Sequence, residues 1–194
     1  MIEKTIMERR SIKKANDAPI SRETVNTILE QAAYAPFHSK VEPWNVYVLH
    51  TLAEKERYIE KIIEFNEREQ GVSFSEAEIA DLKAGYAKKI ITPPYLLIVT
   101  TNIIGHGKKD FESIGATSAF IQNIQNIQLL GWEAGIGMIW RSNRFIFDAK
   151  FAEDLGIPSE QKIVGTLHLT SLAEVPEAKP RRPLNEWVKN LADL

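Results

Sequence analysis

Arg9-Arg10-Ser11-Ile12-Lys13-Lys14 sets four cationic side chains and one hydroxyl within six residues. That combination suits a compact dianion such as a phosphate monoester. Guanidinium offers a planar fork of donors, lysine a point charge, and serine a short hydrogen bond. The ordinary alternative is a solvated basic end to a first helix, which the helix dipole favours. Two more arginine-bearing groups stand far down the chain. One is Trp140-Arg141-Ser142, just after an apolar strand candidate, and the other is Lys179-Pro180-Arg181-Arg182-Pro183-Leu184. Singly, they read as a strand end with its capping loop and as a basic tail. Three such groups in a chain of net charge -2 are harder to assign to solvation. If the fold joins the first to the third, they make one phosphate site.

Other chemistry is thinly represented. Of the histidines His38, His50, His106 and His168, no two share a helix face at ligand spacing, and with no cysteine a zinc site has little support. His50 and His168 fall at strand positions and read as structural. His106 reads as a loop residue, and His38 stays open. The nucleophile elbow, the P-loop and the full three-glycine dinucleotide fingerprint are absent. Gly131, Gly135 and Gly137 follow a helix and precede a strand, the reverse of what that fingerprint requires. The pattern suggests that a bound cofactor carries the hard chemistry while the protein orients it.

The elements that must position these groups show in the hydrophobic periodicity. Ile2, Ile6 and Met7 space as one face of a short opening helix. After a break at Ala18-Pro19-Ile20, Ser21 is an N-cap, and Val25, Ile28, Leu29, Ala32 and Ala33 form the apolar face of a helix that Pro36 ends. Asn45 to His50 reads as a strand. Leu52 to Lys89 reads as two charged surface helices joined around Gly71. Tyr95 to Thr101 is a nearly continuous apolar run, expected of a strand covered on both faces. Asn102 to Lys109 reads as a loop and Ser113 to Ala134 as a long helix. Ile136–Trp140 and Ile163–Leu169 are further strands, with a short helix over 149–155 between them. The repeat Ile121-Gln122-Asn123, Ile124-Gln125-Asn126, Ile127-Gln128 predicts a buried or interface helix with a polar stripe. The proline-rich tail from Ala173 to Arg182 should run extended, and Trp187 implies that the last segment packs on something.

With 194 residues, one domain spanning 1–194 is expected, of class α+β or α/β. The near-neutral charge argues against general nucleic-acid or membrane-surface binding. No apolar run approaches the roughly 20 residues of a membrane span. Freedom from cysteine and the lack of an apolar signal core after Met1-Ile2-Glu3-Lys4 predict a cytoplasmic protein.

Read in order, these groups resemble the FMN-dependent nitroreductase family over nearly the whole chain. The likeness rests on Arg9-Arg10-Ser11 with Lys13, Ala35-Pro36, Glu42-Pro43-Trp44, Pro93 to Val99, Gln122-Asn123, Gly135-Ile136-Gly137, Trp140-Arg141-Ser142 and Lys179 to Leu184. Length and the stretch Ile139 to Ser142 look most like the small bacterial branch. The resemblance implies an α+β sandwich with a central, mostly antiparallel sheet flanked by helices, and an intertwined homodimer with FMN at the subunit interface. It implies that Arg9, Arg10, Ser11 and Lys13 hold the FMN phosphate and ribityl chain, joined by Lys179 and Arg181. Trp140, Arg141 and Ser142 would also touch FMN, and His38 would reach it from the other subunit. The implied activity is ping-pong hydride transfer from NADH or NADPH to FMN, then to a nitro compound, quinone or related acceptor, with no catalytic side chain and no metal. A donor near the flavin's pyrimidine end would stabilise its reduced form, a role open to Arg10 and to Arg141. Phe37, Lys40 and Glu42 stand where many members carry serine, asparagine and glutamine. That departure keeps open an alternative, a non-catalytic or sensory flavin-binding protein on the same scaffold.

Overall fold

The apolar run in the middle of the chain becomes β2 (Tyr95–Asn102), a central strand buried along almost its whole length. In the computed structural model, residues 2–37, 42–102 and 109–191 are described, with 109–119 described by their backbone alone. β2 is flanked by β1 (Trp44–Leu49) and β4 (Gln161–Ser171), and β3 (Ile136–Arg141) closes a four-stranded sheet of order β1-β2-β4-β3. All three pairings are antiparallel. A bulge opposite Val99 and Thr100 shifts the β2–β4 register. The antiparallel sheet with helices on its faces is the α+β sandwich expected.

Each face of the sheet has its own core. On the first, Leu49, Leu96, Ile98 and Ile163 pack against α3 (Leu52–Gln70), a 3-10 turn (Arg144–Phe147) and α6 (Ala149–Asp154). Tyr58, Phe145 and Phe151 meet there edge to face or tilted, with centroids 4.9–6.1 Å apart. On the second, Leu97, Val99, Leu167 and Leu169 pack against α2 (Arg22–Ala32) and α5 (Lys109–Glu133). Ser21 caps α2 by accepting from the Thr24 amide, as its position implied.

Leu52–Gln70 and α4 (Glu76–Ile90) are the two charged helices, and Gly71 ends the first in the left-handed conformation (φ 65°). Only α4 is chiefly a surface helix. The expectation for α3 is corrected, because its charge hides a buried stripe of Tyr58, Ile59, Ile62, Ile63 and Phe65. Lys55 is buried as well, donating to the carbonyls of Ile91 (3.1 Å) and Pro93 (2.5 Å) just past the end of α4. Burial lowers its pKa.

α1 (Ile2–Glu8) forms, but its apolar residues do not pack within the chain: Ile2, Ile6 and Met7 are exposed, and Thr5 is the buried one, donating to Glu133 on α5. Trp187, on the short α7 (Leu184–Trp187), is exposed too. The stretch before it runs without regular structure, as its prolines imply. Among the described residues no helix is long and apolar enough to cross a membrane.

Candidate cofactor-binding site

The basic segment that follows α1 is fastened along the free edge of β3. Ser11 forms a parallel bridge with Met138, and the Ile12 amide donates to the Met138 carbonyl at 3.0 Å. Ile12 lies directly over Gly137, where a Cβ would come within 2.5 Å of the isoleucine side chain. That contact explains a glycine inside a strand. Further on, the Asn16 amide donates to Thr170 Oγ1 (2.8 Å) and its side-chain nitrogen to the Ser171 carbonyl (3.0 Å). The segment is thereby tied to the end of β4, from which the C-terminal stretch departs.

The result joins the first and third basic groups. Arg9, Arg10, Ser11, Lys13 and Asn16 line a cavity of about 750 Å³ whose other wall carries Ser171, Lys179 and Arg181. That volume lies within the roughly 300–1,000 Å³ of small-molecule sites. Burial, and then the charges of Arg10 and Arg181, hold the Arg9 guanidinium below its ordinary pKa. Among the described residues no carboxylate pairs with Arg9, Arg10, Lys13 or Arg181. Lys14 differs, reaching the exposed Glu174 at 3.5 Å. Arg10 is partly occupied, because its Nη1 donates to the carbonyls of Met7 (2.5 Å) and Arg9 (2.8 Å). Glu174 and Glu177 also line the cavity, but the cations Arg9, Arg10, Lys13, Lys14, Lys179 and Arg181 outnumber them, and a bound polyanion would relieve that positive excess.

Arg9 and Ser11 also line a second, adjoining groove with Pro36, Trp140 and the α5 residues Gln122, Gln125 and Gln128. The polar stripe of the triplet repeat therefore splits in two. Asn123 and Asn126 both donate to the Ala32 carbonyl that ends α2 (3.0 and 3.4 Å), while the glutamines line the groove, which Asn126 also borders. Ile124 and Ile127 are buried, whereas Ile121 is exposed.

Strand alternation separates the middle group. Trp140 shares its face of β3 with Met138 and lies against Gly165 of β4. Arg141 points through the opposite face, toward Thr166 and His168. Among the described residues the Arg141 side chain lines neither cavity that Arg9 lines, so the two side chains are on opposite sides of the strand. Ser142 is exposed and lines neither. His38 and Lys40 lie outside the described residues. His168 is structural, as expected, and no cluster of metal-ligating side chains occurs among the described residues. Asn16 had no signal in the sequence, and the three glutamines showed there only as part of a polar stripe.

Sheet, helical layers and a cationic cradle at the sheet edge define an α+β sandwich shaped for a polyanionic small molecule. The chain belongs to the nitroreductase family, whose profile matches residues 6–170. It is 29% identical over 181 residues to YfhC of Bacillus subtilis (strain 168), provisionally named an NAD(P)H nitroreductase, covering 93% of this chain and 89% of that protein. A crystal structure of a nitroreductase-like family protein from Bacillus cereus superposes with a TM-score of 0.84 at 27% identity, covering 98% of this chain and 96% of the other. A variant of the FMN- and NADPH-dependent nitroreductase NfnB from Sphigopyxis sp. strain HMH shares the fold with a TM-score of 0.72 at 20% identity, covering 98% and 99%.

Proposed function

We propose that this chain is an FMN-dependent NAD(P)H oxidoreductase acting on nitro compounds, quinones or related acceptors. One observation carries the reading: cationic groups distant in sequence converge on one cavity where they outnumber its two carboxylates, Glu174 and Glu177, and among the described residues none of Arg9, Arg10, Lys13 or Arg181 is ion-paired. The donor set fits the phosphate of FMN. Arg9 and Arg181 supply guanidinium forks, Ser11 a hydroxyl, and Lys13 and Lys179 point charge. Arg10, anchored to backbone carbonyls, contributes the remainder of its fork. The adjoining groove suits a flat heteroaromatic body, with the Trp140 indole and the side-chain amides of Gln122, Gln125 and Gln128 along it.

FMN held there would supply the chemistry the side chains lack, hydride transfer from NADH or NADPH to an acceptor, for which a ping-pong order is proposed. The chain's own part is placement. A bridged edge, a tethered asparagine and a helix floor hold the cradle, so alignment contributes most of the acceleration, worth up to roughly 7–11 kcal/mol in favourable cases.

A homodimer completes this reading. Ile2, Ile6 and Met7 on α1, Ile121 on α5, and Leu184 and Trp187 on α7 leave apolar surface uncovered, and a second copy would bury it. The decisive experiment is a visible spectrum of purified protein, followed by anaerobic addition of NADH or NADPH. Flavin absorbance that bleaches is expected. A colourless protein that takes up no FMN overturns the reading, and flavin that neither nicotinamide bleaches selects the non-catalytic flavin binder instead.

A further inference from the structure

On the opposite face of the sheet lies a further, smaller pocket of about 230 Å³, between β3, β4 and the helices α3 and α4. We propose that it binds a small monocarboxylate with an apolar or aromatic body. The proposal stands apart from the FMN reading, since none of its lining residues touches the cavities that Arg9 lines.

One end of the space is polar. Arg141 enters it from β3, and its Nε is buried without any hydrogen-bond partner. An arginine has donors only, and among the described residues no aspartate or glutamate lines this space. His168 cannot neutralise the charge. Its Nδ1 lies 2.6 Å from the Lys89 carbonyl, which can only accept, so Nδ1 carries the proton and Nε2 accepts from the Thr166 hydroxyl at 3.1 Å. Burial, aided by the nearby Arg141 charge, keeps the imidazole neutral down to a pKa of about 4. Tyr58 adds a phenol that burial holds in its neutral form. The other wall is apolar, formed by Ile62, Ile90 and Phe145, all buried.

These features select the ligand class. Lys89 also lines the space but is exposed to solvent, so the one buried unpaired donor belongs to the Arg141 fork; a single fork suits a monoanion, whereas several cations in the first cavity suit a dianion. A planar fork matches a carboxylate. An apolar wall opposite the fork calls for a ligand body without charge. A cavity of roughly 150 Å³ is known to hold benzene, so this one has room for a ring and its carboxylate.

The test is a benzoate titration of the purified full-length chain, with whatever flavin it retains, followed by the imidazole NMR signals of His168. A saturable shift is expected, with the neutral isostere benzamide at least ten-fold weaker. Arg141→Met should weaken benzoate at least ten-fold, while Arg9→Ala should leave it within two-fold. Should the methionine variant fail to fold, Arg141→Lys keeps the charge but loses the fork, and it too should weaken binding several-fold. Absence of a His168 shift, equal binding of benzamide, full affinity in the Arg141 variants, or loss of binding in Arg9→Ala would each overturn the proposal.

Discussion

The two faces of the sheet are finished to different degrees. On the α3 side an aromatic cluster of Tyr58, Phe65, Phe145 and Phe151 closes over Leu96, Ile98 and Ile163. On the α5 side the core is aliphatic apart from Tyr95 and Phe120. Its helix and strand still present Ile121, three glutamines and Trp140 to a groove. Apart from the small space at Arg141, one face spends its side chains on each other, and the other keeps them available. The aromatic core and the proposed FMN cradle are therefore laid on opposite sides of the same four strands, with β3 as the shared wall.

Phe151→Ala strikes the finished face hardest. Phe151 is fully buried, and removing an aromatic ring from such a site costs about 3–5 kcal/mol, read as a lower urea midpoint. FMN affinity of the remaining folded protein should stay near wild type, and a parallel loss of both would break the division between faces. His168 gives the next largest effect. Its folded pKa of about 4 lies below the ordinary 6.5, so as pH falls the unfolded chain takes up the proton first. Stability is full above pH 6.5 and declines toward pH 4 by about 3 kcal/mol. Urea unfolding from pH 7 to 4 should show this slope, and His168→Asn should flatten it.

Arg9→Ala addresses the open face. Losing one charge-assisted bond to a desolvated phosphate should cost roughly 1.5–3 kcal/mol of FMN binding, measured by equilibrium dialysis, with the urea midpoint unchanged or raised as crowded positive charge is relieved. The smallest effect belongs to Lys14→Ala. Its exposed pairing with Glu174 is worth about 0–1 kcal/mol, so FMN retention should fall less than in Arg9→Ala. Equal losses in the two would show a diffuse field rather than a cradle.

Much of this was readable from residue order. The continuous run at 95–101 read as a doubly covered strand, and the Ser21 cap set the start of α2. Basic groups in a near-neutral chain pointed to one site, and the fold brings Arg9 and Arg181 to it. The separation of Trp140 from Arg141 was readable too, since neighbours on a strand face opposite ways. The buried stripe of α3 was masked by charged residues on its other faces, although Thr51 and Ser75, each three residues ahead of a glutamate, marked both helix starts as capping boxes. Asn16 was invisible for a different reason: its role exists only through contact with residues 170 and 171, and no local pattern encodes a partner so distant.

That tether has a consequence for how the protein ripens. The cradle's two walls, 9–16 and 171–181, meet only after the intervening strands have assembled, so they close a loop spanning most of the chain and should be among the last parts to lock. A ligand that bridges them acts as a reversible clasp on that final step. By mass action, an anion at a hundred times its dissociation constant would stabilise the closed form by about 2.7 kcal/mol. The resistance of the 173–183 stretch to proteolysis would then be a direct gauge of how full the site is.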